Sequence, residues 1–144
     1  MKAEETVDFF LKSAWQSVAN TYNQVASKYS ISQTVGYMLI HIHEDGTTVS
    51  QLASFLCVKP TSLSRILANM EKHSLVYRKT DSSDKRSVKI FLTDAGKEKR
   101  QVAKKVVRKF NEYLNDNICE EERIQLINGL KKINQLTLAY KPEQ

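Results

Sequence analysis

The stretch that decides the fold runs from Val49 to Thr93, VSQLASFLCVKPTSLSRILANMEKHSLVYRKTDSSDKRSVKIFLT. Its opening segment VSQLASFL predicts a short helix, because apolar side chains recur at i, i+3, i+4 and i+7. Thr48 in front of it and Gln51 form a capping box, in which each side chain binds an otherwise unpaired backbone N–H. Pro60 suits the first turn of a second helix, where its missing N–H costs nothing. The pattern therefore predicts two helices joined by a tight turn.

The second helix has two unlike faces. An apolar stripe at helical spacing faces inward, formed by Leu63, Ile66, Leu67 and Met70. The opposite face is polar without being acidic, and it consists of Thr61, Ser62, Ser64, Arg65, Asn69 and Lys72. Such groups can read base edges in a major groove, where Arg pairs with guanine and Asn with adenine. An ordinary solvated helix face is the alternative, and the segment that follows argues against it.

A β-hairpin follows the second helix. The segments LVYRK and SVKIFL are rich in β-branched and aromatic residues, and the turn-forming run TDSSDKR separates them. Alternate residues predict one strand face packed on helices, namely Val76, Arg78, Val88, Ile90 and Leu92. Basic residues surround the tip and would be attracted to phosphates: Arg78, Lys79, Lys85, Arg86 and Lys89. Asp81 and Asp84 are expected to hold a neighbouring arginine through charge-assisted hydrogen bonds.

The tip of this hairpin carries a motif. Asp84, Arg86, Leu92 and Thr93 match the pattern D-x-R-x5-L-T, and the following DAGK matches a continuation L-T-x-x-G-K. In this motif the chain resembles the MarR-type winged helix-turn-helix transcription regulators, and LASFL and SLSRILANMEKHSLVYR resemble their DNA-binding helices. The resemblance extends over nearly the whole chain. It implies a mainly α fold with a small β-hairpin wing, a winged helix-turn-helix with N- and C-terminal dimerisation helices.

The resemblance also implies which residues contact DNA. Residues of the second helix would face the major groove, Arg86 would reach the minor groove, and Asp84 would orient the wing. The expected set is Lys59, Thr61, Ser62, Ser64, Arg65, Asn69, Asp84, Lys85 and Arg86. Two positions depart from the family: Lys59 stands where a Ser or Asp usually caps the helix, and Ser74 where a Gly usually ends it. A serine adopts the left-handed conformation of that last position only at a cost in conformational energy. We therefore expect the ends of this helix to differ in geometry from those of the family.

The length of the chain favours a single domain over residues 1–144. Residues 32–97 are expected to form the winged helix-turn-helix part, and residues 1–30 and 98–144 the dimerisation helices. An apolar stripe runs from Val7 to Tyr29, and two more follow the wing with a break expected at Asn115, Asp116 and Asn117. Because a monomer has little to cover these faces, we expect a homodimer, which the resemblance also implies. Such a dimer would read a pseudo-palindrome with half-sites roughly 34 Å apart.

The segment VGYMLIHIH predicts a core helix with Val35, Met38, Leu39 and Ile42 facing inward. Members of the family commonly bind small, often aromatic acids between this region and the dimerisation helices. By that analogy, the candidates for an effector pocket are Trp15, Tyr22, Tyr37 and His41. Plain core packing of these aromatic side chains is the alternative.

Several other classes of protein are disfavoured. On a helix, His41 and His43 point in different directions and cannot share one metal ion, so no metal site and no cofactor is expected. No phosphate-binding glycine loop or nucleophile elbow is present, so the chain is not expected to be an enzyme. The N-terminus lacks the features of a signal peptide, and no apolar run approaches the ~20 residues of a membrane span, so we expect a cytoplasmic location.

Cys57 and Cys119 are expected to be free thiols. Cys57 lies where a thiolate sensitive to oxidants could form, and a purely structural thiol is the alternative.

The formal net charge of +6 and the basic run between Lys97 and Lys109 fit a polyanionic partner. The sequence thus predicts a sequence-specific regulator that binds double-stranded DNA, with a ligand-responsive repressor as its most specific form. The alternative is a winged-helix module that binds other proteins and has lost the ability to bind DNA. Steep loss of DNA affinity with salt would distinguish the two.

Overall fold

The computed structural model describes residues 1–80, 83–84 and 86–143. After a single 3-10 turn at Ala3–Glu5, the helices are α1 Val7–Ser27, α2 Gln33–His41, α3 Val49–Leu56, α4 Pro60–Lys72, α5 Asp94–Asn117 and α6 Glu120–Ala139. The strands are β1 Thr47–Thr48, β2 Val76–Thr80 and β3 Val88–Leu92, and they form an antiparallel sheet in the order β1-β3-β2. The predicted mainly α fold with a β-hairpin wing is confirmed.

The chain divides into two compact units, residues 1–107 and residues 108–144. The core of the first unit is formed by α2, α3, α4 and the sheet, with fully buried side chains at Met38, Leu39, Leu52, Leu63, Leu67 and Ile90. Each such side chain stabilises the fold by roughly 1.5–3 kcal/mol relative to an exposed one. The inward direction predicted for Val35, Met38, Leu39 and Ile42 is confirmed, since all four are buried. The assignment of residues 32–97 to the winged helix-turn-helix part, and of residues 1–30 and 98–144 to dimerisation helices, stays a prediction.

The local signals between α2 and α4 act as predicted. Thr48 Oγ accepts from the Gln51 N–H at 3.2 Å, and Gln51 Oε1 accepts from the Thr48 N–H at 3.0 Å, so the capping box is confirmed. Pro60 occupies the first turn of α4. Between the two helices, Cys57 ends α3 in the left-handed region with φ +53°. This conformation turns the chain within three residues and sets α4 across α3.

The sheet has a third strand that the sequence did not predict. Thr47 pairs with Ile90 and Thr48 with Lys89, so β1 extends the hairpin on its β3 side. The side chain of Thr47 is buried, and its hydroxyl accepts from the His43 N–H at 2.9 Å. Two residues are too few to produce an alternating pattern, which is why periodicity missed this strand.

The predicted packing of alternate strand residues holds only at the base of the hairpin. Val76, Ile90 and Leu92 are buried. Arg78 and Val88 are exposed, which corrects the prediction that they face the helices. The hairpin extends beyond α4 at this point, so the outer half of the same strand face meets solvent.

The first turn of α5 explains the L-T-x-x-G motif in physical terms. The Thr93 hydroxyl donates to the Ser74 carbonyl at 2.6 Å and accepts from the Gly96 N–H at 3.0 Å. The Thr93 N–H donates to the Leu75 carbonyl at 3.1 Å. A Cβ on Gly96 would lie 2.0 Å from that same carbonyl oxygen, so only glycine fits. These contacts fasten α5 to the end of α4.

The break between the last two helices lies later than predicted. Asn115, Asp116 and Asn117 belong to α5, and the break falls at Ile118 and Cys119. The Asn117 amide donates to the Tyr113 carbonyl at 2.8 Å, so this side chain is bonded within the helix. At the other end of the chain, Tyr29 lies outside α1, which ends at Ser27.

Within the described ranges, every helix is too short or too polar to cross a lipid bilayer.

Candidate nucleic-acid interface

The exposed face of α4 carries most of the residues predicted to contact DNA. The buried face of this helix holds Leu63, Leu67 and Met70, each at most 1% exposed. The other face leaves five predicted residues exposed, namely Thr61, Ser62, Ser64, Arg65 and Asn69. The Ser64 hydroxyl donates to the Pro60 carbonyl at 3.0 Å, so in this conformation it offers only lone pairs to a partner. The structure thus brings these residues together on one accessible surface, which we call the α4 polar face.

The N-terminus of α4 is open. Lys59 is its N-cap and is exposed, but its side chain makes no capping hydrogen bond. Because Pro60 has no N–H, the unpaired amides of this turn are those of Thr61 and Ser62. Unpaired amides at the positive end of a helix dipole, with an ammonium group beside them, attract phosphate. The absence of a Ser or Asp cap at Lys59 therefore leaves a surface suited to an anion.

The C-terminus of α4 ends in a Schellman motif without glycine. The Leu75 N–H donates to the Met70 carbonyl at 2.9 Å, and the Ser74 N–H to the Glu71 carbonyl at 3.0 Å. Ser74 itself is left-handed, with φ +57°. The departure from the family at this position thus keeps the helix end but forces a serine into a conformation that costs about 1–2 kcal/mol.

At the wing, Asp84 fixes the backbone instead of a side chain. Its Oδ1 accepts from the Arg86 N–H at 3.0 Å, and its carbonyl accepts from the Ser87 N–H at 3.0 Å. This is an Asx turn inside a tight turn, and it differs from the expected bond to an arginine side chain. Arg86 is exposed. Asp81 and Lys85, which were also singled out, lie outside the described residues.

An ion pair that the sequence did not reveal joins the wing to α4. Arg78 Nε donates to Glu71 Oε1 at 2.6 Å, and both side chains are partly exposed. A pair this exposed contributes little stability, about 0–1 kcal/mol. Its geometric effect is to hold β2 against the last turn of α4, so that wing and helix keep one relative position. Seven residues and a change of secondary structure separate the partners, and no local pattern announces such a contact.

The four residues predicted to line an effector pocket form one aromatic cluster. The Tyr37 ring lies 6.3 Å from Trp15, 6.4 Å from Tyr22 and 6.1 Å from His41, measured between ring centroids. Phe55, which the sequence reasoning missed, stacks on His41 at 4.9 Å with planes 10° apart. The cluster therefore runs from α1 through α2 to α3.

Burial changes the acidity of two members of this cluster. It raises the pKa of the Tyr37 phenol. It also lowers the pKa of the His41 imidazole, and the nearby His43 lowers it further. Both shifts favour the neutral form of the ring near pH 7, as suits an aromatic stack.

Beside the cluster lies a narrow apolar pocket of about 20 Å³, which Tyr22 and Tyr37 line together with Ala26, Gly36 and Ala103. This volume holds about one water molecule. Trp15 and His41 do not line it. An effector larger than a water molecule would have to separate these side chains to enter.

Three further expectations concern thiols, charge and metals. Cys57 and Cys119 are free and exposed, and Cys57 Sγ lies 3.8 Å from the Ser54 carbonyl. Arg100 belongs to the basic run but is buried, and its Nη1 donates to the Ile42 carbonyl at 3.2 Å, so it adds little to the surface charge.

Among the described residues, we find no group of three His, Cys, Asp or Glu side chains that could hold a metal ion.

Comparison with known sequences points to one family. The model of the MarR family matches residues 30–88, from the connection between α1 and α2 to the start of β3. The HTH-type transcriptional regulator SarZ of Staphylococcus aureus (strain USA300) is 28% identical over 118 residues, which cover 81% of this chain and 78% of SarZ. The expectation that the chain is not an enzyme is confirmed, since the proteins it matches are transcriptional regulators.

Solved structures share the fold. The DNA complex of S. aureus MepR aligns with a TM-score of 0.83 at 23% identity, covering 92% of this chain and 98% of MepR. Bordetella bronchiseptica BpsR, whose DNA binding is described as regulated by 6-hydroxynicotinic acid, aligns with a TM-score of 0.82 at 15% identity, covering 93% and 96%. The three chains thus share one fold.

Proposed function

We propose that this chain is a winged helix-turn-helix transcription regulator of the MarR family that binds double-stranded DNA in a sequence-specific manner. The observation that carries the proposal is the α4 polar face: one side of the helix is anchored by fully buried side chains, and the other presents hydroxyl, amide and guanidinium groups to solvent. A rigid helix with such a face fits a major groove. The DNA complex of MepR, a protein of the same fold, supports this reading.

The parts of the surface take different roles on DNA. Arg65 pairs with a base edge, preferably guanine, and Thr61, Ser62 and Asn69 bind bases or phosphates. The Ser64 oxygen accepts a hydrogen bond from the amino group of a base. Lys59 and the open N-terminus of α4 bind a backbone phosphate. Arg86 reaches the adjacent minor groove from a wing whose turn Asp84 fixes, and Lys85, its neighbour in the sequence, adds positive charge. Phosphate contacts set affinity and base contacts set specificity.

We place this surface in a homodimer. In the second unit, α6 exposes large apolar side chains, among them Ile124, Ile127, Leu130 and Leu136. In the first unit, α1 exposes Val7, Phe9, Phe10 and Trp15. Apolar stripes of this length on two helices call for a partner, and a second copy offers matching ones. Two copies present two α4 helices to a pseudo-palindrome with half-sites roughly 34 Å apart.

In its most specific form, the proposed regulator is a cytoplasmic repressor that a small molecule releases from DNA. The aromatic cluster supports this form, because it links a proposed dimerisation helix, α1, to α3 of the DNA-binding part. A flat effector that enters between Trp15, Tyr22, Tyr37 and His41 would separate these helices and change the distance between the two α4 helices. The regulation described for BpsR supports an effector of this kind.

The test is a binding series on duplex DNA. An operator is selected from a random duplex library with the full-length protein, and its Kd is measured by fluorescence anisotropy at several salt concentrations. We expect affinity to fall steeply with salt, because bound phosphates release counterions. The Arg65→Ala variant should bind the selected operator about 1–3 kcal/mol more weakly and lose base preference at one position.

Arg108→Ala is the matched control, because it also removes one arginine, from an exposed ion pair with Glu112. It should leave base preference unchanged. Affinity that does not depend on salt, or equal behaviour of the two variants, would contradict the proposal and favour a module that binds proteins.

A further inference from the structure

A buried arginine of α5 takes no part in the α4 polar face. Arg100 is 8% exposed, although a guanidinium group stays charged in proteins. Its Nη1 donates to the Ile42 carbonyl at 3.2 Å, and its Nη2 lies 3.7 Å from Glu44 Oε1. Its Nε is buried, and we find no hydrogen-bond partner for it among the described residues. The buried charge is therefore only partly satisfied.

Stability does not explain this side chain. The Glu44 side chain is 75% exposed, and an ion pair with so exposed a partner contributes little. An apolar side chain of similar volume is often no less stable than a buried, partly paired charge, because desolvation costs free energy. What an apolar side chain cannot do is donate to the Ile42 carbonyl. Ile42 is 1% exposed, and Arg100 is the only donor that we find for its carbonyl among the described residues.

This carbonyl belongs to the connection between α2 and α3, residues 42–48, which we call the α2–α3 corner. Ile42 is the C-cap of α2, where the negative end of the helix dipole favours a cation. Within the corner, the Gly46 N–H donates to the His43 carbonyl at 3.0 Å, and the His43 N–H donates to the Thr47 hydroxyl at 2.9 Å. Because of these bonds, a displacement of one end of the corner is passed on to the other.

The wing is built on this corner. Strand β1, the last two residues of the corner, pairs with Lys89 and Ile90 of β3. Gly46 packs so closely against the Phe91 ring that an added Cβ would lie 2.6 Å from its Cζ. Phe91 in turn stacks on Tyr77 of β2, with 5.4 Å between the ring centroids. Both long strands of the wing therefore take their position from the corner.

From these contacts we infer that Arg100 is a positioning residue for DNA recognition, which holds the α2–α3 corner against α5 and thereby keeps the wing in place beside α4. Without the guanidinium, the buried Ile42 carbonyl has no donor, and it regains one only if the corner moves toward water. That movement carries β3, and with it Arg86, away from the minor groove. The buried side chains of α4 keep that helix in place. The consequence for DNA rests on the proposed function, whereas the movement of the wing does not.

The first experiment leaves DNA out. Amide resonances of the ¹⁵N-labelled protein are compared by NMR between wild type and Arg100→Met, which has neither a donor nor a charge at this position. We expect shifts in the corner and along the wing, at Thr47 and Phe91, whereas the amides of α4 between Leu63 and Met70 stay in place. Arg100→Lys keeps a cationic donor and should restore most of the wild-type spectrum.

The second experiment tests the route to DNA with a double-mutant cycle on the selected operator. Arg100→Met should weaken binding about tenfold, the size expected for one lost arginine contact. Added to Arg86→Ala, it should weaken binding little further, because both substitutions remove the same contact. Arg100→Lys should recover most of the affinity.

Two control variants separate positioning from loss of stability. Ala103→Gly removes a buried methyl group from the same helix, one turn further along, where it packs near Gly36. It should lower the melting temperature and leave the affinity of the folded protein unchanged. Glu44→Gln removes the charge of the exposed partner and keeps the bond to the Ile42 carbonyl, so it should behave as wild type in both experiments.

Melting temperatures establish that each variant is folded. Should Arg100→Met not fold, Arg100→Gln takes its place in both experiments, because its shorter side chain also leaves the Ile42 carbonyl without a donor.

Amide shifts confined to the neighbours of Arg100, wild-type affinity of Arg100→Met, or additive effects of Arg100→Met and Arg86→Ala would overturn the inference. An equal loss of affinity in Ala103→Gly would overturn it too, because the effect would then follow stability. Shifts that reach the wing in a protein that does not bind DNA would uphold the role of Arg100 in placing the wing and refute only the proposed function.

Discussion

The Thr93 hydroxyl offers the sharpest test of how α5 is joined to the DNA-binding part. It donates to the Ser74 carbonyl at 2.6 Å and accepts from the part-buried Gly96 N–H at 3.0 Å. Thr93→Val keeps the shape of the side chain and removes both bonds. Loss of a helix cap costs about 0.5–2 kcal/mol, and the Ser74 carbonyl regains water because it is exposed. We therefore expect the free energy of unfolding to fall by about 1–2 kcal/mol.

The assay is equilibrium urea denaturation of wild type, Thr93→Val and Thr93→Ser at equal protomer concentration, because the stability of the proposed dimer would depend on concentration. Thr93→Ser keeps the hydroxyl and should stay within about 0.5 kcal/mol of wild type. A Thr93→Val protein as stable as wild type would refute the reasoning. Equal losses in both variants would refute it too, because the variant that keeps the hydroxyl would then be no more stable than the one that lacks it.

Other predictions concern single positions. Gly96→Ala places a Cβ 2.0 Å from the Leu75 carbonyl oxygen and should lower the urea midpoint severely. Gly129→Ala adds a Cβ that has no neighbouring atom within 4 Å and should raise the midpoint. Equal midpoints for the two variants would contradict the packing of α5. Ser74→Gly relieves a φ of +57° and should stabilise the protein by about 1 kcal/mol in the same assay, and a loss of stability would show that no strain is present. The pKa of His41 is lowered in the folded state, so the unfolded chain binds its proton first and stability falls as pH drops below the ordinary histidine value. His41→Phe should lessen this dependence in urea titrations between about pH 7 and pH 5, and an unchanged slope would contradict the shift.

The sequence specifies the features of the first unit that arise from local chemistry. The capping box of Thr48 and Gln51 and the position of Pro60 depend on residues within one turn of each other, so they could be read without tertiary information. The face of α4 that carries Arg65 follows from the apolar spacing of its other side. The resemblance to the family located Ser74 at the end of α4, and the structure adds its left-handed conformation.

Contacts between distant segments could not be predicted. The pairing of Thr47 with Ile90 joins residues more than forty positions apart, and a strand of two residues has no period. The stacking of Phe55 on His41 depends on how α3 crosses α2. Asp84 was expected to bind a side chain, but the turn places a backbone N–H closer. In each case geometry selects among partners that residue types alone leave equivalent.

We propose that two copies of the α4 polar face read successive major grooves. Hydroxyl-radical footprinting of the protein on its selected operator tests this arrangement. We expect two protected regions related by two-fold symmetry, with centres roughly one helical turn, about 34 Å, apart, and their loss in the Arg65→Ala variant. A single protected region, or a symmetric footprint that Arg65→Ala leaves intact, would contradict it.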